Sequence, residues 1–232
     1  MARLATRRLP RIQSVLPSGG LSHFHPCFLG AADRARVKRQ FNRSGIFVNI
    51  PYASRYTRFE LAIISTATAY GLTPRMAKQR ATFETRFRRI WEMILTCAYG
   101  FTDLSYARRM NIPLELGLML ALGKNCFITS ARRYDALSRI SDLNLGDIHY
   151  HEGRPRTLIA DFSRWIEENC SHQHIAVAAL VNRFRAVVWL RDEYLGPDEF
   201  DRLRPENITA VLRSAQRNLG VTFGPLANAI AM

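Results

Sequence analysis

No apolar run reaches 18 residues, so the chain lacks any segment that would span a bilayer as a helix, and no membrane partner is expected. No two of its four cysteines, Cys27, Cys97, Cys126 and Cys170, are close enough for a C-x-x-C metal or redox pair. They read as reduced thiols of a cytoplasmic protein, two of them acting as small apolar residues in core elements. Acid is missing from the beginning of the chain, where none precedes Asp33. The same region has no apolar core of the kind a secretory signal needs, roughly 7–15 residues long. No internal repeat is visible.

What remains is a globular composition. With 47% apolar and 22% charged residues, 232 residues can bury the core of one α/β domain and carry extensions at either end. The net charge is +14, and more than half of it falls in residues 1–45, where nine Arg and Lys face Asp33 alone. Residues 1–44 therefore read as a basic, disordered arm. An over-extended translation start, a nucleic-acid-binding arm and an organelle transit peptide compete as its explanation.

From Gly45 onward, apolar runs alternate with helix-spaced segments. Gly45–Ile50 reads as a buried strand stopped by Pro51, and Arg58–Tyr70 as a helix stopped by Gly71. Leu72–Met76 reads as a short strand, Glu84–Cys97 as an amphipathic helix and Tyr99–Leu104 as a third strand. Helix Pro113–Leu122, strand Asn125–Thr129, edge strand Asp147–Tyr150 and helix Thr157–Glu168 follow. Strands separated by helices of this length predict a doubly wound parallel sheet of about five strands over residues 45–170. Residues 171–232 turn to helices only, Ile175–Leu195 and Ile208–Leu219. Their apolar stripes suit packing on the sheet, a homo-oligomer interface or a partner contact.

Chemistry concentrates between Asp103 and Ile128. A strand ends in an acid, Asp103, and a polar loop leads to a helix in which Glu115 is the only ionisable residue between Pro113 and Gly123. A carboxylate in such apolar surroundings needs a partner or a role. With Asn111 as N-cap and Pro113 early in the helix, Glu115 is expected in the first turn, where the helix dipole favours negative charge by roughly 0.3–1 kcal/mol. Acids at strand ends in a βαβ unit face the crevice where such sheets bind ligands.

Ile46-Phe-Val-Asn-Ile-Pro-Tyr52, Arg75, Asp103-Leu-Ser105, Asn111-Ile-Pro-Leu-Glu-Leu-Gly117 and Ala121-Leu-Gly-Lys124 resemble one bacterial pattern. It belongs to the nucleoside 2-deoxyribosyltransferase-like and TIR-like superfamily of flavodoxin-like domains, and the resemblance covers about residues 45–150. The resemblance implies a flavodoxin-like fold and cleavage of N-glycosidic bonds in nucleosides, nucleotides or NAD, with a bacterial defence or toxin role in some members. It carries the nucleophile to Glu115 of Glu-Leu-Gly, although the usual aromatic before that Glu is here Leu114.

Such a bond breaks through an oxocarbenium-like state that a carboxylate can stabilise or capture. Glu115 would serve so, or would be a structural acid paired with Arg75 or Arg108. Asp103 would bind a sugar hydroxyl, or cap its own loop through neighbouring N–H groups. Pro51, Tyr52, Arg75, Ser105 and Asn111 complete the expected substrate-binding set, with Arg75 as phosphate contact or salt-bridge partner. No cofactor is implied, NAD entering only as substrate. His23/His25, His149/His151 and His172/His174 form His-x-His pairs, but no third ligand of suitable spacing accompanies them, so no metal is expected. Gly146–His151 would line the far side of the crevice. The competing reading is a non-catalytic module of the same fold that senses a nucleotide or docks a protein.

Overall fold

The computed structural model describes residues 31–77, 83–105, 111–132, 148–170, 175–221 and 223. After helix α1 (Ala31–Gln40) come five strands: β1 (Asn42–Asn49), β2 (Thr73–Arg75), β3 (Cys97–Asp103), β4 (Asn125–Ser130) and β5 (Ile148–Tyr150). All pair in parallel, in the order β2-β1-β3-β4-β5. Parallel strands need crossovers, and the helices that supply them cover both faces. That is why Ile46, Phe47 and Val48 run without polar alternation and are all buried.

Helices α2 (Thr57–Ala69) and α5 (Pro155–Asn169) cover one face. There Ile46, Val48, Phe101 and Phe127 meet Ile63, Leu158 and Phe162. Helices α3 (Phe83–Thr96) and α4 (Asn111–Ala121) cover the other, where Phe47 and Ile128 meet Ile94, Leu116 and Met119. The result is the flavodoxin-like arrangement expected from the alternation of elements. Connections leave β1 toward β2 and β3 toward β4 in opposite directions, which puts the switch point, where sheets of this kind form their ligand crevice, at the carboxyl ends of β1 and β3.

Two boundaries differ from expectation. The second part of the supposed arm is helical: Val37 of α1 is buried against Leu95, Trp91 and Leu122, and Arg36 bonds Glu92. One large apolar residue, Val37, among many charges gives no periodic signal, yet its burial fixes the helix on α3. Residues 1–30, including Cys27 and the first His pair, lie outside the described residues. The expected helix Ile175–Leu195 divides into α6 (Val177–Trp189) and a wider π-helical turn, Leu190–Leu195, stopped by Gly196 at φ 81°. The third His pair, His172/His174, also lies outside the described residues.

The remaining elements are α7 (Pro197–Arg202), a 3-10 turn at Pro205–Asn207 and α8 (Ile208–Leu219). This extension packs on the domain: Leu61 and Ile64 of α2 join Val187, Leu190, Phe200, Ile208 and Leu212 in one cluster. The 3-10 turn lies against β2, covering an edge that would otherwise offer unpaired backbone groups. No helix among the described residues is long and apolar enough to cross a membrane.

Inside this extension Arg183 is fully buried, its Nη2 donating to Thr209 Oγ1 at 2.7 Å while Nε and Nη1 lack partners. Burial, helped by the nearby charge of Arg213, pushes its pKa down to about 10, so the cation persists at neutral pH. Cys97 and Cys126 behave differently, since burial pushes both thiols up to about 12 and leaves them un-ionised.

Gly100 marks the tightest packing in the sheet. A Cβ there would lie 2.5 Å from Met119 Sδ and 2.6 Å from Cys126 Sγ. Gly100→Ala should therefore cost about 1–3 kcal/mol by urea denaturation, with Cys126→Ala in the same chain restoring part of the loss. Arg183→Met should hold or raise the denaturation midpoint, because it removes a buried charge with two orphan donors while keeping comparable volume.

Candidate functional site

The crevice is built from the ends of four strands. At the end of β1, Asn49 is buried and its Nδ2 donates to the Ile112 carbonyl at 2.8 Å. One side chain thus fastens the first turn of α4 to β1. Pro51 then ends the strand and is buried. Tyr52 is half-buried, and its hydroxyl accepts the Ala77 N–H at 2.9 Å, tying the turn after β1 to the segment after β2. Tyr56 and Phe59 follow with ring centroids 5.2 Å apart.

At the end of β3, Asp103 has no exposed surface. Its Oδ1 accepts the Ser105 N–H at 2.7 Å, and its Oδ2 lies 2.9 Å from His151 Nε2. His151, just past β5, is itself buried and packs against Phe59, the rings tilted by 41° with centroids 4.5 Å apart. Its Nδ1 accepts the Gly153 N–H at 3.2 Å, which requires a lone pair there. The ring proton therefore sits on Nε2, directed at Asp103. Ser105 Oγ is 3.5 Å from Nε2 and accepts the Ala131 N–H at 2.6 Å, which links the turn after β3 to the turn after β4.

Asp, His and Ser are thus together without the order that activates a serine. Both ring nitrogens are used, one by Asp103 and one by Gly153, so no free base faces Ser105. Of the two roles expected of Asp103, the loop-capping one is seen in the Ser105 N–H bond. Both carboxylate oxygens are engaged inside the protein.

Glu115 and Asn111 need correction. Helix α4 begins at Asn111, so Asn111 is its exposed first helical residue, and Glu115 falls in the second turn. The dipole advantage fades beyond the first turn, which weakens that argument for an ionised Glu115. Ile112, Leu116 and Met119 form the buried stripe of α4, and Glu115 lies beside it, half-buried. Leu114, in the place of the aromatic, is 58% exposed. Arg108 and Arg109 fall outside the described residues, as do 133–147, part of the connection to β5.

Arg75 is not part of this constellation. It sits on edge strand β2 beside Phe47 and lines a separate cleft whose walls include none of Asn49, Asp103, Ser105, Glu115 or His151. The residue that sequence reasoning undervalued is His151. It was visible in Gly146–His151 as a crevice lining and as half of a His-x-His pair. Its partner Asp103 is 48 residues away, a distance no local spacing reveals. His149 instead stacks on Phe127 at 4.5 Å, and no group of three metal-ligand side chains occurs among the described residues.

Comparison with models of protein families, with curated proteins and with solved structures finds no match to this chain. The arrangement itself is that of a flavodoxin-like α/β domain with a polar cluster at the carboxyl rim of its sheet.

Removing one member of the Asp103–His151 pair strands a buried polar group. Asp103→Ala and His151→Ala should each cost about 3 kcal/mol. Together they should cost clearly less than the sum, as a urea double-mutant cycle would measure. Additive losses would mean the two side chains do not depend on each other.

Proposed function

We propose that the chain cleaves the N-glycosidic bond of a nucleoside, a nucleotide or NAD in the crevice between β1 and β3. Glu115 is the reacting carboxylate. The observation that carries the reading is the Asn49–Ile112 bond, which fastens the helix bearing Glu115 to the strand end that borders the crevice. Glu115 follows Ile112 by three residues, so it is held within one helical turn of that anchor.

In the proposed reaction the C1′–N bond breaks and its electron pair leaves with the base. Positive charge at C1′ is stabilised by Glu115, or captured as a covalent glycosyl ester through one carboxylate oxygen. Water or a second base then attacks C1′ and frees the carboxylate. Asp103 acts through the rim it organises: by holding His151 and the Ser105 turn it keeps the crevice wall in place. Ile50–Tyr52 and the Phe59 ring are suited to flank a planar base.

A second reading, a ligand-binding module without turnover, is favoured by one feature. Asp103, the other acid of the expected pair, spends both oxygens on the protein itself. The test incubates purified protein with NAD, deoxynucleosides or deoxynucleoside monophosphates and separates products by chromatography. Free base released by the wild type, and reduced on the order of 10³-fold or more by Glu115→Gln, is the expected outcome. Equal release by both proteins would refute Glu115 as the reacting group. No release, with a nucleotide still raising the melting temperature, would establish the binding module.

A further inference from the structure

A cleft of about 350 Å³ opens at the β2 edge of the sheet, between α2, α3 and the segment from α7 to the start of α8. It is large enough for a small organic ligand. Its apolar lining is Ile64, Met76, Met93, Phe200 and Leu203. Four guanidinium-bearing residues from three parts of the fold join it: Arg75 from β2, Arg89 from α3, and Arg202 and Arg204 from the extension. Gln40, the last residue of α1, completes the wall.

Three acids also line the cleft, and their accounts differ. Glu92 is taken by Arg36 and Arg88, two cations outside the lining, with Arg88 Nε 3.6 Å away. Glu60 is buried in α2, and Glu60, Asp201 and Arg89 each have polar or electrostatic contacts of their own. Arg75, Arg202 and Arg204 form no salt bridge with any described residue. Arg75, Arg202 and Arg204 thus border an apolar recess without an ion pair to any described acid. Guanidinium groups bind phosphate through paired, charge-assisted hydrogen bonds, and a dianion matches several of them better than a single carboxylate does.

We propose that this cleft binds a small phosphomonoester whose phosphate is held by Arg75, Arg202 and Arg204 and whose apolar or aromatic body fills the recess lined by Met76, Met93 and Phe200. The site is independent of Glu115 and of the crevice between β1 and β3. It also gives the helical extension a role in recognition, since Arg202, Arg204 and Phe200 all come from it.

The test is calorimetric titration of the full chain with 1-naphthyl phosphate, beside inorganic phosphate, 1-naphthol and 1-naphthoate. Saturable binding of 1-naphthyl phosphate, tighter than that of each of the other three, is expected. Arg204→Ala and Arg75→Met should each weaken it by about tenfold or more, and Glu115→Gln should leave it unchanged. Arg204 is exposed, so its replacement leaves the core intact and keeps the test decisive if Arg75→Met misfolds. Absence of saturable binding would overturn the proposal, as would equal binding of 1-naphthoate, or affinity unmoved by Arg204→Ala. Binding abolished by Glu115→Gln would assign the ligand to the crevice instead.

Discussion

The rim of the sheet depends on one buried charge, the carboxylate of Asp103. A carboxylate with no exposed surface costs several kcal/mol unless its oxygens are met. The chain meets them from both sides of the strand: the Ser105 N–H comes from the turn that follows, and the His151 ring from beyond β5. Ser105 passes the constraint on to Ala131 at the end of β4, and Gly153 fixes the imidazole from behind. β5 has only three paired residues, Ile148 to Tyr150, a short ladder for an edge strand. The His151–Asp103 bond secures that edge where hydrogen bonding of the ladder is least.

A second tie works on the opposite side of the crevice. Asn49 holds Ile112, so the start of α4 is set by a side chain on β1 as well as by the apolar stripe of Ile112, Leu116 and Met119. The two ties have different strengths. Burying a charge without partners costs far more than losing one amide–carbonyl bond, which contributes about 1 kcal/mol net. The Asp103 side of the rim is accordingly the more costly to disrupt, and Glu115 lies half-buried on the α4 side.

Periodicity made most of the architecture legible. Gly45–Ile50, Leu72–Met76, Tyr99–Leu104, Asn125–Thr129 and Asp147–Tyr150 each overlap a strand, because strands covered on both faces leave continuous apolar runs. Helix α1 left no periodic signal, since Val37 is the one buried residue among its described side chains in a strongly charged segment. Asp103 could be placed at its strand end from sequence. Its partner could not, because parallel pairing of β4 with β5 alone brings His151 into range. The strand of Arg75 was legible but its cavity was not, because edge position and sheet face decide which cavity a side chain meets. Asn111 lies one position further into the helix than its expected N-cap place, and that moves Glu115 from the first turn to the second.

In the proposed reaction Glu115 faces the anomeric carbon of a ligand seated between β1 and β3. A crystal structure of Glu115→Gln grown with a deoxynucleoside monophosphate tests it most directly. The account predicts the sugar in that crevice, its C1′ about 3–3.5 Å from the side-chain oxygen at position 115, with Asp103 still bonded to His151. A nucleotide bound only in the arginine-lined cleft, or seated in the crevice with its C1′ turned away from position 115, would contradict it.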